Sequence, residues 1–277
     1  MPNKAVALAL STHPGPAVAV TVITVVLGVS VGLEPWRIVL LGLAFAANQA
    51  SVGLSNDWID AERDRAVGRL DKPVARGWVD VSRVRTAALV TLALAVTLTI
   101  PLGVPATIAH AGFLASAWAY NAGLKSTAAS VLPYLLSFGL LPTVVTLALP
   151  EPSLAGGWAM GSGALLGVAA HFANVLPDLD DDRVTGVHGL PHRLGLRTTG
   201  LATWAALAAA SLLAWAGPAG DPTLLQSTGL VLALAIGALG TLLVLRRPPS
   251  RLLFRLIIAA ALVNVTLLAF ARDRLLA

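Results

Sequence analysis

Charged residues divide this chain into long apolar runs. Uncharged stretches cover residues 5–33, 38–56, 86–124, 126–150, 152–177, 198–220 and 222–245. A last run, 252–271, is interrupted only by Arg255. A helix needs about 20 mostly apolar residues to cross a bilayer. The run 86–124 is too long for one such helix, and Pro101-Leu-Gly-Val-Pro105 supplies a turn that divides it. The pattern therefore predicts an all-α polytopic membrane protein. Its nine helices fall at roughly 16–33, 37–55, 84–102, 105–121, 128–149, 156–175, 198–217, 223–245 and 252–271. The first run follows only Lys4 and shows no cleavage signal ahead of a soluble region, so it is expected to stay as a span.

Composition agrees with that pattern. Only 12% of the 277 residues are charged and 56% are hydrophobic, about half the charge of a soluble domain. A water-soluble enzyme, a disordered chain and a nucleic-acid binder are set aside on this ground. The net charge of +5 does not revive the last of these, because the basic residues flank apolar runs. With the N-terminus in the cytoplasm and the C-terminus outside, sixteen Lys and Arg fall on the inner side and three on the outer. That bias orients the protein. Cysteine is absent, which removes disulfides and thiolate metal sites.

The remaining information lies in two polar islands. Residues 57–85 and 178–197 hold 20 of the 33 charges, and both islands face the cytoplasm in this topology. Asn56-x3-Asp60-x3-Asp64 in the first recurs as Asn174-x3-Asp178-x3-Asp182, 118 residues later. Each copy closes an apolar helix and precedes a basic loop containing glycine. The chain is thus one domain, 1–277, of two related halves, about 1–125 and 126–277.

A four-residue spacing puts Asn56, Asp60 and Asp64 along one helix face. Carboxylates so arranged repel one another, and a hard divalent cation relieves the repulsion. Mg²⁺ takes a few carboxylate oxygens and completes its shell with water and phosphate. Two facing stripes then form a clamp for a diphosphate. Arg63, Lys72, Arg76, Lys125 and Arg183 supply cations around it. Asp57 lies off the stripe but within reach of a metal or its surroundings, whereas Asp180 is expected to be solvated. Tyr120 and Lys125 end the fourth helix near the same face. His171 shares the face of Asn174 and is expected to be a hydrogen-bonded interior histidine. Asn48 is a candidate for the pocket wall.

These residues resemble the UbiA superfamily of intramembrane prenyltransferases. NDWIDAERDRAVGRLDKPVARG is similar to that family's NDxxDxxxD signature and basic loop, and NVLPDLDDDRVTGVHGLPHRLG to its DxxxD motif. The family's YxxxK element would fall at Tyr120 and Lys125, here one residue further apart. The resemblance implies nine helices around a central cavity, closed by cytoplasmic cap segments. It implies that Asn56, Asp57, Asp60 and Asp64 serve one Mg²⁺–diphosphate centre, and Asp178 and Asp182 the other. Asn56, Asn174, Tyr120 and the basic residues would bind substrate. The substrates would be a prenyl diphosphate and an aromatic or other lipophilic acceptor, with membrane lipids around them and no protein partner implied. Metal ions and cations would stabilise the departing diphosphate, and an acceptor would capture the allylic cation in a dry cavity.

Three other readings compete. A UbiA-type terpene cyclase would use the same acids without an acceptor. A CDP-alcohol phosphotransferase needs a D-G-x2-A-R element that is absent. A transporter would place its coupling residues near mid-membrane, whereas these acids sit at helix ends.

Overall fold

The computed structural model describes residues 2–69, 72–176, 179, 188–246 and 251–277. Apart from one isolated bridge between Ala155 and Leu276, the regular structure among them is helical. The helices are α1 (Lys4–Leu10), α2 (Pro14–Ser30), α3 (Pro35–Ile59), α4 (Ala61–Ala66), α5 (Val81–Thr99) and α6 (Val104–Asn121). They continue with α7 (Leu132–Leu147), α8 (Gly157–Val175), α9 (Leu190–Ala216), α10 (Leu224–Arg246) and α11 (Arg251–Ala269). A helix lies on each apolar segment. Among the described residues four helices, α3, α5 with its following turn, α9 and α10, are long and apolar enough to cross a membrane, or five if the bent pair α1–α2 is one span.

Two boundaries differ from the apolar pattern. A short helix, α1, occupies the start of the first run and meets α2 at 61°. The run is uncharged throughout, and the segment Ser11-Thr12-His13-Pro14-Gly15-Pro16 marks the break within it. The helix expected at 198–217 begins at Leu190, because Pro191 suits a first helical turn, and it kinks at Gly195.

The helices close a ring. α2 packs on α3, α3 on α6, and α6, α7, α8 and α9 follow in order; α11 packs on α9 and back on α2. α5 lies outside against α3, and α10 lies outside against α9 and α11. In lipid, close helix packing relies on small residues more than on apolar burial. Gly163 and Gly167, one turn apart on α8, show this: a Cβ at either would lie 2.4 Å from the Phe138 carbonyl or 2.3 Å from that of Tyr134 on α7. α10 is seated at two points: Leu267 of α11 lies against Gly229, and the Trp204 ring of α9 against Gly240.

Buried polar groups join α3, α5 and α6. Asn48 lies 2.8 Å from His110 Nε2, and Thr99 Oγ1 lies 2.6 Å from His110 Nδ1. Asn48 is fully buried in this helix–helix network and does not line the cavity, which corrects its expected place in the pocket wall. An amide in hydrocarbon needs a partner, and His110 satisfies it.

Candidate active site

The first island begins where α3 stops. Asp60 ends α3 and opens α4, with φ −86° and ψ −1°. The Asp64 N–H still donates to the Asp60 carbonyl at 2.8 Å, so the four-residue register survives the break. Asn56, Asp60 and Asp64 therefore share one wall of a cavity, as the spacing predicts.

Cations crowd these acids. The buried Lys125 ammonium pairs with Asp60, and Arg63 Nη2 donates to Asp60 Oδ2 at 3.0 Å. Arg63 also approaches Asp64 at 3.6 Å. Asn56 Nδ2 donates to Asp60 Oδ2 at 3.1 Å. Burial pushes the Lys125 ammonium below its ordinary range, and the Asp60 charge opposes that shift. Burial raises the Asp64 carboxyl; Lys72 opposes the rise and Asp60 adds to it.

Lys125 reaches Asp60 through a turn. α6 ends at Asn121, and Gly123 takes φ +145°, a conformation that side chains oppose. The turn holds the residue that lengthens the Tyr120–Lys125 spacing. Tyr120, on the last turn of α6, stays on the cavity wall.

The second island is described only in part. Asp178, Asp182 and Arg183 lie outside the described residues. Asn174 at the end of α8, just before it, lines the cavity, as do Gly189 and His192 in its later part. The Leu190 N–H donates to Ser130 Oγ at 2.9 Å, and a Cβ on Gly189 would lie 2.6 Å from the Lys125 carbonyl. The described residues on either side of 180–187 thus line the cavity that the first island lines.

The cavity measures about 570 Å³ and has two ends. Asp60, Asp64, Arg63, Arg69, Lys72 and Lys125 line one; Phe113, Tyr120, Tyr134, Phe138, Leu207 and Ile257 line the rest. Tyr120 meets the Tyr134 ring edge-on at 5.2 Å, and Phe138 stacks on Tyr134 at 6.2 Å. His171 is buried as expected, 3.0 Å from Ser130 Oγ, and also touches the cavity.

A sequence profile described as the UbiA prenyltransferase family matches residues 17–270. The chain belongs to the UbiA prenyltransferase family. Solved structures agree with the fold. A UbiA homologue from Archaeoglobus fulgidus bound to GPP and Mg²⁺ superposes with a TM-score of 0.72 at 15% identity, covering 96% of this chain and 98% of that one. An apo UbiA homologue from Aeropyrum pernix K1 gives 0.67 at 18%, covering 96% and 98%. A digeranylgeranylglyceryl phosphate synthase structure gives 0.69 at 14%, covering 98% and 99%. No curated protein sequence matches the chain.

Within this UbiA-family fold, two expected site residues stand apart from the cavity. Asp57 is 1% exposed and faces Lys72 and His13, because one residue's advance turns a helix by about 100° away from the stripe. Arg76 lies over the Trp78 ring at 4.0 Å and does not line the cavity. Conversely, the cavity takes in two residues that the motif reading left out. Arg69 lies after the first motif, and its charge acts on Asp64. His13 lies forty-four residues before Asp57, and nothing in its local sequence announces it.

Proposed function

We propose that the chain transfers an isoprenoid group from a prenyl diphosphate to an aromatic or other lipophilic acceptor, in a Mg²⁺-dependent reaction within the membrane. One observation carries this reading: a single cavity joins an acidic, cation-lined end to an aromatic and aliphatic one. A prenyl diphosphate has the same two-part chemistry. The ligands of the Archaeoglobus homologue support it.

Asp60 and Asp64 are the acids of the first island that would hold Mg²⁺, with Asp178 and Asp182 completing the set. Their donors are hard oxygens, which suit that ion. Among the described residues no three acidic or histidine side chains converge on one point, so the first island would not make the site alone. Bound there, the ion neutralises negative charge on the diphosphate.

The chain's own groups do the rest. Lys125, Arg63 and Arg69 hold the diphosphate oxygens and stabilise the electron pair they receive when the allylic carbon–oxygen bond breaks. The rings of Tyr120, Tyr134 and Phe138 border the allylic carbon and favour its positive charge over a water-filled path. The acceptor supplies the new bond's electrons and then loses a proton. All nine long helices cross the bilayer in this reading, the N-terminus and both islands are cytoplasmic, and the segments after Asp60 and Asn174 cap the cavity.

Purified protein, Mg²⁺, prenyl diphosphates of several lengths and an acceptor panel, read by mass spectrometry, test the proposal. A prenylated acceptor is expected, with loss of product in Asp60→Asn and Asp178→Asn. A cyclic hydrocarbon or alcohol formed without acceptor would make the chain a cyclase instead, and full activity in either variant would overturn the clamp. Single cysteines placed in each loop of this cysteine-free chain report the topology by their labelling from either side.

A further inference from the structure

The corner between α1 and α2 is built with unusual specificity for a surface turn. His13 holds a left-handed backbone, φ 53° and ψ 65°, which only a few per cent of non-glycine residues adopt. The preceding residue is seated in α3: a Cβ on Gly53 would lie 2.4 Å from the Thr12 carbonyl oxygen. Gly53 lies one turn before Asp57. The seating brings the His13 ring to the buried side of the first motif.

There Lys72 Nζ has three acceptors within reach. Asp57 Oδ1 lies at 2.7 Å, Asn56 Oδ1 at 2.9 Å and His13 Nε2 at 3.0 Å. An ammonium has three protons, so the three acceptors account for all of them. His13 Nε2 also lies 2.9 Å from Asp57 Oδ1, so the ring accepts from Lys72 in its Nδ1–H tautomer and donates to Asp57 in the other, and in either it braces the Lys72–Asp57 pair. Asp57 keeps its other oxygen, Oδ2, buried without a hydrogen-bond partner, so its charge depends on this ammonium. Lys72 is also near enough to Asp64 for its charge to act there. An ammonium deprived of one acceptor turns to the next oxygen in range, and the cavity acids are those oxygens.

We infer that His13 is a positioning residue that holds Lys72 on Asp57 and Asn56, away from Asp60 and Asp64, and so spares those acids a further cation beyond the Lys125 and Arg63 that a divalent ion must already displace. The inference rests on the reading of Asp60 and Asp64 as metal-holding acids. It also gives Asp57 a part in the site, as the anchor of Lys72. With Asn56 Oδ1 held by Lys72, the Asn56 amide N–H faces Asp60, so the imidazole, the ammonium and the amide form one chain ending at the cavity acid.

The test compares His13→Leu, which has no acceptor, with His13→Gln, which offers one on a flexible stem. His13→Ala is carried alongside in case added bulk disturbs the bundle. Mg²⁺ binding is measured calorimetrically on the purified full chain with inorganic diphosphate, and turnover is measured separately against Mg²⁺. The expected result is a rise of about tenfold in the Mg²⁺ concentration for half-saturation in the leucine and alanine variants, in both assays, with kcat at saturation within about twofold of the parent. Glutamine should recover most of the loss. Unchanged Mg²⁺ affinity in the leucine and alanine variants would overturn the inference. So would an equal loss in all three variants with lowered unfolding temperatures, which would mark a structural corner. If the parent binds Mg²⁺ and diphosphate but turns over no prenyl diphosphate, the proposed reaction fails while the calorimetric comparison still decides the role of His13.

Discussion

Replacing Lys125 by Met separates its part in stability from its part in the reaction. The side chain is 9% exposed and its ammonium sits on Asp60. Methionine keeps the length of the stem and removes the charge. A buried carboxylate stripped of its whole partner set costs about 3–5 kcal/mol. Here Arg63 stays at 3.0 Å and Asn56 at 3.1 Å, so Asp60 keeps two donors and the expected cost is lower, about 2 kcal/mol. The reaction should suffer more. Lys125 is a buried cation at the charged end of the cavity, and removing one preorganised group that stabilises developing negative charge slows a reaction by about 10²–10³. Unfolding can be followed through tryptophan fluorescence, since the chain has seven Trp, and turnover through diphosphate release. Adding Asp60→Asn to Lys125→Met should destabilise by much less than the sum of the single effects, because neither partner is then left alone. Turnover within about threefold of the parent in Lys125→Met would refute the argument, since the cation would then be a fold element only.

Three other outcomes are expected. Arg69→Gln should lower prenyl diphosphate turnover at least tenfold, whereas Arg76→Gln should stay within about threefold, because Arg76 rests on Trp78; steady-state kinetics on both distinguish them. Gly167→Val should destabilise the bundle by at least the about 1–3 kcal/mol of ordinary overpacking, since the added carbon meets backbone of α7 rather than a movable side chain; the loss is read as a lowered unfolding temperature. Chelation by EDTA should abolish product formation, with recovery on excess Mg²⁺ and little on Ca²⁺, whose preferred shell is larger and less regular.

The helical segments and the shared wall of Asn56, Asp60 and Asp64 could be read from the chain because both rest on periodicity, which is local. The break at Asp60 could not, yet it did no harm: the i to i+4 bond across it preserves the register that the spacing implies. Arg69 and Arg76 follow the same motif in the same kind of loop. Which of them reaches the cavity is settled by the fold of that loop, with Trp78 capturing one, and no local pattern encodes it. His13 was further out of reach. Its role depends on a notch at Gly53, and a glycine in an apolar helix has many other uses. The first α-helix has seven residues, too few to cross a bilayer, so a pattern read in span lengths passes over it although Ser11–Pro16 marks its end.

The seating of α10 has a consequence for how this protein can vary. Gly229 and Gly240 are eleven residues apart, very nearly three helical turns, so both face inward along one line. The opposite side of the helix is exposed, including Val231, Leu232 and Leu239. Leucine, valine and isoleucine are interchangeable to a hydrocarbon solvent, so the outer surface of α10 can drift freely, whereas a single methyl group at either glycine would meet Leu267 or the Trp204 ring. That makes the exposed side of α10 the natural attachment point for labels, with the glycines and the buried Gln226, Ala233 and Gly237 left untouched.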